Sequence, residues 1–418
     1  MSVKVTRVDN LAEALEQLYA RGQGVIKPGL ARTEQLLDAL GRPERRYPSV
    51  HITGTNGKGS TAAMLESILR GAGYRTALYT QPHLHHLNER FQVSGRSIPN
   101  ERLADLISRL ETLCQEHAIP ATFHEFTTAL AFAYFAEEQV DVAIIEACMG
   151  GRWDATNVIT PNVSVITNVG LDHTKWLGPT KQHIAREKAG IIKPGVPLVT
   201  TERDPVLQQY FANVCREQRA PCRVVEPHSA VRALPLGLAG DHQYSNAAAA
   251  LATIELLATT GLTVSTKQQE AGLAATQWPG RVQVVSQRPT VIVDAAHNRE
   301  SVEALVAYLD EHLAQRDVLV LGMKEDKDVT PWTELVVPSF RQIIVTEGAF
   351  LPAPAERVAA QLRSHHADVT VIPDARRATA EGLRLAGPDG SLLVAGSLYM
   401  IPEALAYLEE HMHTDEAL

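Results

Sequence analysis

Ser49-Val-His-Ile-Thr-Gly-Thr-Asn-Gly-Lys-Gly-Ser60 joins a short β-prone run to a glycine loop, a lysine and a hydroxyl that opens a helix. This is the pattern of a phosphate cradle. Gly54, Gly57 and Gly59 let the backbone approach anionic oxygens, Lys58 reaches a terminal phosphate, and Ser60 offers a hydroxyl to Mg²⁺. The flanks agree: Val50–Thr53 is β-prone, Met64, Leu65, Ile68 and Leu69 share one helical face, Gly71 and Gly73 end that helix, and Thr76–Thr80 reads as the next strand. The frame favours nucleotide binding over a plain glycine turn. The spacing is compact, with two fewer residues between the glycines than G-x-x-x-x-G-K-[ST] and an added glycine after the lysine.

A chain of 418 residues exceeds what one core usually supports, so two domains are expected. Strand candidates alternate with helical stretches, which predicts parallel sheets covered by helices on both faces. They fall at Val50–Thr53, Thr76–Thr80, Val140–Ala147, Val163–Val169 and Pro197–Thr201, then, after a break at Pro279-Gly280, at Thr290–Ala295, Val318–Leu321, Ile343–Thr346, Val369–Ile372 and Leu392–Ala395. The boundary is expected near 282–289, giving an ATP-binding domain over 1–285 and a smaller Rossmann-like α/β domain over 286–418. Ala247–Leu256 reads as a buried helix.

The composition, 45% hydrophobic and 21% charged, is that of a soluble enzyme, and no apolar run approaches a membrane span. The first residues lack the apolar core of a signal peptide, so a cytoplasmic protein is expected. Cys114, Cys148, Cys215 and Cys222 show neither C-x-x-C spacing nor nearby histidines, which points away from zinc and disulfide frameworks. A net charge of −9 with only short basic clusters argues against a nucleic-acid partner. Anionic substrates must then be held by a few local cations.

Chemistry-bearing groups recur at strand ends. A buried strand delivers Glu146 to its carboxyl end ahead of Gly150-Gly151, where a carboxylate suits a hard cation. The next strand ends in Gly170-Leu-Asp-His173, so Glu146 and His173 are candidates for a shared metal site. Lys188 lies near the end of a helix, where a lysine also suits the helix dipole. Asp294, His297 and Asn298 end a strand in the second domain and suit ribose hydroxyls or phosphates. Arg281 sits at the boundary, where it could clamp a γ-phosphate between domains. His83, His85 and His86 lack Cys or carboxylate partners at metal spacing, and a substrate-facing loop is the better account.

Taken together these segments resemble the folylpolyglutamate synthase and dihydrofolate synthase family, a branch of the Mur-type amide ligases that use the compact glycine loop. The resemblance spans almost the whole chain. It rests on Gly29-Leu-Ala-Arg, Gly54–Ser60, Pro82-His-Leu, Asn88-Glu-Arg, Glu125-Phe-Thr-Thr, Gly150-Gly-Arg-Trp-Asp-Ala-Thr-Asn, Gly170-Leu-Asp-His, Arg186-Glu-Lys-Ala-Gly, Pro279-Gly-Arg, Asp294-Ala-Ala-His-Asn and Gly396-Ser-Leu-Tyr. It implies a P-loop-containing, Mur-ligase-like ATPase domain joined to a Rossmann-like α/β domain. The implied reaction uses ATP to phosphorylate a pterin or folate carboxylate, which the amine of L-glutamate then attacks.

Residue by residue, the resemblance implies that Gly57, Lys58, Gly59 and Ser60 hold phosphates, with Asn246, Arg281, Asp294, His297 and Asn298 completing the ATP site. Ser60, Gln81, Glu146 and His173 would form a Mg²⁺ shell, and Lys188 resembles the family's carbamylated lysine, serving a second Mg²⁺. Lys58, Lys188, His173 and Glu146 would be catalytic. Gly29, Leu30, Ala31, Thr122, Phe123, His124, Glu125, Trp153, Asp154, Ala155 and Ser397 would face substrate, and the enzyme would be a monomer.

Two departures bear on the acceptor: Gln81 stands where the family usually has serine, and Ala147-Cys148-Met149 where it has an aliphatic Val-Gly-Leu. A different carboxylate acceptor or amino acid is therefore an alternative. A P-loop small-molecule kinase and a catalytically inactive binding protein are others, opposed by the Asp294-Ala-Ala-His-Asn298 motif and by Lys58, Ser60, Glu146, His173 and Lys188 respectively.

Overall fold

The computed structural model describes residues 11–22, 25 and 27–412, so most of the amino-terminal stretch examined for a signal sequence lies outside the described residues. The strands are β1 (Ser49–Thr53), β2 (Thr76–Tyr79), β3 (Phe91–Val93), β4 (Arg96–Ser97), β5 (Val142–Glu146), β6 (Val163–Ile166), β7 (Leu198–Thr200), β8 (Cys222–Val224), β9 (Gln283–Gln287), β10 (Thr290–Asp294), β11 (Val318–Gly322), β12 (Gln342–Glu347), β13 (Val369–Asp374) and β14 (Ser391–Ala395). The chain forms two compact units. One runs to Leu236 and adds Tyr244–Thr276; the other takes Gly237–Gln243 and everything from Gln277. β9, which the sequence reading left mostly before residue 286, pairs with β10 in the second unit.

The first unit holds an eight-stranded sheet in the order β4-β3-β2-β5-β1-β6-β7-β8. Its six central and distal strands are parallel, but β3 and β4 add on antiparallel at the β2 edge, so the sheet is mixed rather than wholly parallel as expected. β1 and β5 are buried along their whole length, as strands covered on both faces must be. From β1 the chain passes to one side, to β2, whereas from β5 it crosses β1 to reach β6. Open α/β sheets bind ligands beyond the strand ends at such a reversal. Register sets the site: Ile52 pairs with Glu146 on one side and with Val165 on the other, so the loops after β1, β5 and β6 leave the sheet at one level.

Helix Phe123–Glu137 carries Phe123, Phe126, Leu130, Phe132 and Phe135 fully buried. It is apolar around nearly its whole circumference, as a helix inside a core should be. Thr122 and Glu125 start it with reciprocal side-chain to backbone hydrogen bonds.

The second unit holds a six-stranded sheet in the order β13-β12-β11-β14-β10-β9, parallel except for β9. Its core gathers Leu305, Leu309, Leu319, Leu321, Trp332, Ile343, Val345 and Leu393. Leu393 is fully buried at the centre of β14, flanked by β10 and β11. Leu393→Ala should destabilise this unit by about 2–5 kcal/mol, through lost transfer energy and the cavity left behind. Urea unfolding should show the shift in midpoint, with hydrogen exchange locating the loss in β10, β11 and β14.

Candidate active site

The loop after β1 is fastened to the loop after β6 atom by atom. Thr55 N–H donates to Asn168 O at 3.0 Å and Asn56 N–H to Asn168 Oδ1 at 2.9 Å. Thr167 Oγ1 donates to Asn56 O at 2.6 Å, and Gly170 N–H donates to Thr55 Oγ1 at 2.9 Å. The glycines are required by this closeness. A Cβ on Gly54 would stand 1.7 Å from Thr167 Oγ1, and one on Gly57, at φ +81°, 2.3 Å from Asn246 Oδ1. Asn246 is thus beside the loop, carried by helix His242–Leu257. Lys58 begins helix Lys58–Gly71 and its Nζ donates to Gly54 O at 3.0 Å and Thr55 O at 3.1 Å. These are neutral acceptors, which a phosphate would outcompete. Ser60 lies buried in the first helical turn.

Glu146 ends β5, almost fully buried, with Gln81 N–H 3.5 Å from its Oε2. His173 adopts a left-handed conformation at φ +51° before a short helix, its Nε2 lying 3.9 Å from Asp172 Oδ2. Lys188 is 2% exposed near the end of helix Lys181–Ala189. That helix end is held in place: Arg152 N–H donates to Glu187 O at 2.7 Å, and Asn157 Nδ2 to Gly190 O at 3.1 Å. Burial drives the Lys188 amine well below the usual lysine range, and Lys58 pushes the same way, whereas Asp172 and Asp154 oppose it. The amine is therefore held toward its neutral, nucleophilic form. Among the described residues no three His, Cys, Asp or Glu side chains form a metal-binding group. A cation here would draw on Glu146 and His173 together with the Ser60 hydroxyl and Lys188.

Gln81, expected in the metal shell, has side-chain partners of its own. Its Oε1, the atom of that side chain able to ligate a cation, accepts from His124 Nδ1 at 3.0 Å and from Arg90 Nη1 at 3.3 Å. Two side chains thus already engage the oxygen that a cation would need.

The expected substrate residues divide into two kinds. Thr122, Phe123 and Glu125 are buried: Thr122 caps a helix, Phe123 stacks on Tyr19 at 5.7 Å, and Glu125 pairs with Arg32 at 2.7 Å. Asp154 is buried as well, accepting from Met149 N at 2.9 Å, Thr156 N at 3.0 Å and Thr156 Oγ1 at 2.6 Å, and burial raises its pKa. Ala155 follows it in the same buried turn. Gly29 has open space around its Cβ position, and Leu30 and Ala31 lead into helix Ala31–Ala39. Trp153 is 48% exposed under the Arg152 guanidinium.

In the second unit Asp294 ends β10 and accepts from Val282 N and Ala296 N, both at 2.7 Å. Burial raises its pKa; Arg281 and His242 oppose the rise. His297 Nδ1 lies 2.8 Å from Ala295 O, and Asn298 caps helix Arg299–His312. Ser397 is buried after β14 and receives Tyr399 N–H at 3.3 Å.

Residues 52–222 match the Mur ligase middle domain and residues 280–398 the Mur ligase glutamate ligase domain. The chain is 37% identical over 337 residues to the dihydrofolate synthase/folylpolyglutamate synthase of Bacillus subtilis, covering 74% of this chain and 78% of that one. It is 33% identical to the Escherichia coli enzyme of the same name over 94% of each. The chain belongs to the folylpolyglutamate synthase/dihydrofolate synthase family of Mur ligases. Solved relatives agree in fold. Mycobacterium tuberculosis folylpolyglutamate synthase complexed with ADP and AMPPCP superposes with a TM-score of 0.85 at 31% identity, covering 96% of this chain and 99% of the other. Escherichia coli FolC in complex with DHPP and ADP gives 0.85 at 30% identity, covering 97% and 99%.

The residues that fasten the loop, Thr55, Thr167 and Asn168, were not among those singled out from sequence. Their signal was present in the polar Thr-Asn that follows an apolar strand beside a glycine loop. Gly54→Ala should cost at least about tenfold in ADP affinity, because the clash with Thr167 can be relieved only by parting the β1 and β6 loops. Isothermal titration with ADP reads that loss, and a melting curve confirms that the sheet survives.

Proposed function

We propose that this chain is an ATP-dependent acid–amino-acid ligase that joins L-glutamate to the carboxylate of a pterin or folate, dihydropteroate or tetrahydrofolate. The observation that carries it is the pairing of a glycine loop bearing Lys58 with a second, buried amine, Lys188, at the reversal of one sheet. Phosphotransfer alone needs the first; the second has a place where a negatively charged carbamate ligates a cation. ATP transfers its γ-phosphoryl group to the acceptor carboxylate, the glutamate amine attacks the acyl carbon, and phosphate leaves as the amide forms.

Backbone N–H groups around Gly57–Ser60 and the amine of Lys58 hold the phosphates and stabilise charge on the transferred group. Ser60, Glu146, His173 and carbamylated Lys188 suit Mg²⁺, which would supply charge neutralisation and orientation of phosphate oxygens. The neutral Lys188 amine adds to CO₂ and loses a proton, which turns a repelled ammonium into a ligand. Asn246 extends the phosphate loop beside Gly57 in the first unit, and in the second unit Arg281, Asp294, His297 and Asn298 are groups suited to ribose hydroxyls or phosphates. Gly29, Leu30, Ala31, His124, Trp153 and Ala155 are the residues that would face the pterin, and Ser397 would serve substrate in the second unit. Thr122, Phe123, Glu125 and Asp154 are buried and would act by holding the neighbouring segments in place. The protein acts as a cytoplasmic monomer on small molecules.

ADP release should require dihydropteroate or tetrahydrofolate together with glutamate, and the product should gain one glutamyl residue by mass spectrometry. ADP release with no glutamyl product would point to a kinase instead. Lys58→Ala should lower kcat/KM by about a hundredfold or more with the melting temperature unchanged, as expected for a loop cation that acts on the transition state.

Lys188→Ala should be inactive and partly rescued by short carboxylic acids, which supply the missing oxygens. Wild type in ¹³C-bicarbonate should show a carbamate carbon signal that the variant lacks. A variant with near wild-type turnover, or no such signal in wild type, would remove Lys188 from the mechanism.

A further inference from the structure

Arg90 is a cation buried without a counter-ion. It is 4% exposed, at the end of a short turn leading into β3. Its Nε donates to His83 Nδ1 at 2.9 Å and its Nη1 to Gln81 Oε1 at 3.3 Å, and its guanidinium lies 5.1 Å from the centre of the Phe123 ring. No carboxylate pairs with it among the described residues. The adjacent acid, Glu89, is committed elsewhere, accepting from Leu84 N at 2.7 Å, His85 N at 2.9 Å and His86 N at 2.8 Å.

Its partners are neutral acceptors. His83 must present a bare Nδ1 to receive the Arg90 N–H, and burial followed by Arg90 itself lowers its pKa to about 4. Gln81 is held from the far side by His124, whose Nδ1 carries the proton and whose Nε2 faces the Cys148 thiol at 4.0 Å. Two of the five guanidinium protons are thereby used. Nη2 and the second Nη1 proton carry no hydrogen bond among the described residues and together form a two-pronged edge, the geometry that grips a carboxylate. Burying an arginine with neutral partners only is costly, and an anion brought to that edge offsets the cost.

We infer that Arg90 is the residue that receives the carboxylate of the acceptor, and that Gln81 positions it for this task instead of ligating a metal. The inference rests on the ligase reading given above and names the recognition element within it. Gln81 stands between the two ends of the site: its backbone N–H reaches Glu146 and its side chain reaches Arg90 and His124. A carboxylate on Arg90 would therefore be held one glutamine away from Glu146.

The test is equilibrium binding of pteroate and of its carboxamide, each without ATP, to the full-length protein. Wild type should prefer the carboxylate by about 10–100-fold, the worth of one charge-assisted bidentate contact. Arg90→Gln should bring the two affinities within about threefold by weakening pteroate alone, and Arg90→Lys should restore part of the difference. Gln81→Glu keeps the shape of the side chain but places a carboxylate on Arg90, and it decides the matter where Arg90→Gln fails to fold. This variant should melt no lower than wild type and weaken pteroate about tenfold without affecting the carboxamide.

Unchanged discrimination in Arg90→Gln or Gln81→Glu would overturn the inference. So would tighter Mn²⁺ binding by Gln81→Glu with pteroate affinity intact, which would return residue 81 to the metal shell. Wild type that binds neither compound would overturn the ligase reading along with it.

Discussion

The parallel pairing of β1 with β6 does not stop where the strands end. Beyond Thr53 and Ile166 it continues as contacts among Thr55, Asn56, Thr167, Asn168 and Gly170, so the phosphate loop is an extension of the sheet. A glycine-rich loop left to itself would lose much conformational entropy on closing around a ligand. Fastened this way, it is already closed. The same register brings Glu146, one strand away on the other side, to the level of the loop, and the loop after β5 in turn clasps the end of the Lys188 helix. The positions of Lys58, Glu146 and Lys188 thus follow from one sheet's hydrogen-bond ladder.

The second feature of the site is that its basic side chains stand in poorly solvated places. Lys188 and Arg90 are both nearly fully buried, and Lys58 is spent on backbone carbonyls. None of these arrangements maximises stability. Lys188 shows the tension most clearly, because its folded-state pKa is depressed, so the folded chain binds fewer protons than the unfolded chain between that value and 10.5, the ordinary value. Stability gains from this group as pH rises through that window and is lowest below it. Arg90 and Lys58, whose side chains donate to neutral acceptors, are ready for anionic partners, and a substrate that carries carboxylate and phosphate charges supplies them.

Much of this was legible in the sequence because parallel strands write themselves as apolar runs. All ten strand candidates correspond to strands, and Gly54–Ser60 announces its loop through residue types that little else requires. What stayed hidden has physical causes. β4 is two exposed residues and β8 is exposed throughout, so neither carries an apolar signature. β9 is half-buried and antiparallel at a sheet edge, which is why the domain boundary read from Pro279-Gly280 fell a few residues late. Thr122 and Glu125 carry a motif pattern with two meanings, and their capping bonds show up only once the helix is seen. The partners of Gln81 stayed hidden for a different reason: His124 lies 43 residues away in the chain, and sequence does not say which side chains meet.

The two departures from the family pattern belong to one hydrogen-bonded chain. Arg90 donates to Gln81, His124 donates to the same oxygen, and the remaining His124 nitrogen faces Cys148. The direction of each contact fixes the next. Because Gln81 offers only an acceptor at that atom, His124 must carry a proton on Nδ1, and its Nε2 lies 4.0 Å from the Cys148 sulfur. Burial raises the Cys148 pKa to about 12, so the thiol keeps that proton. A serine at position 81 has a shorter side chain and a hydroxyl that both gives and takes, and an aliphatic residue or glycine at position 148 leaves Nε2 without this partner. Neither departure makes the chain alone. Glutamine and cysteine thus meet through His124, so the change from the family pattern lies in one connected group of side chains that includes Arg90, while the phosphate loop keeps its own contacts.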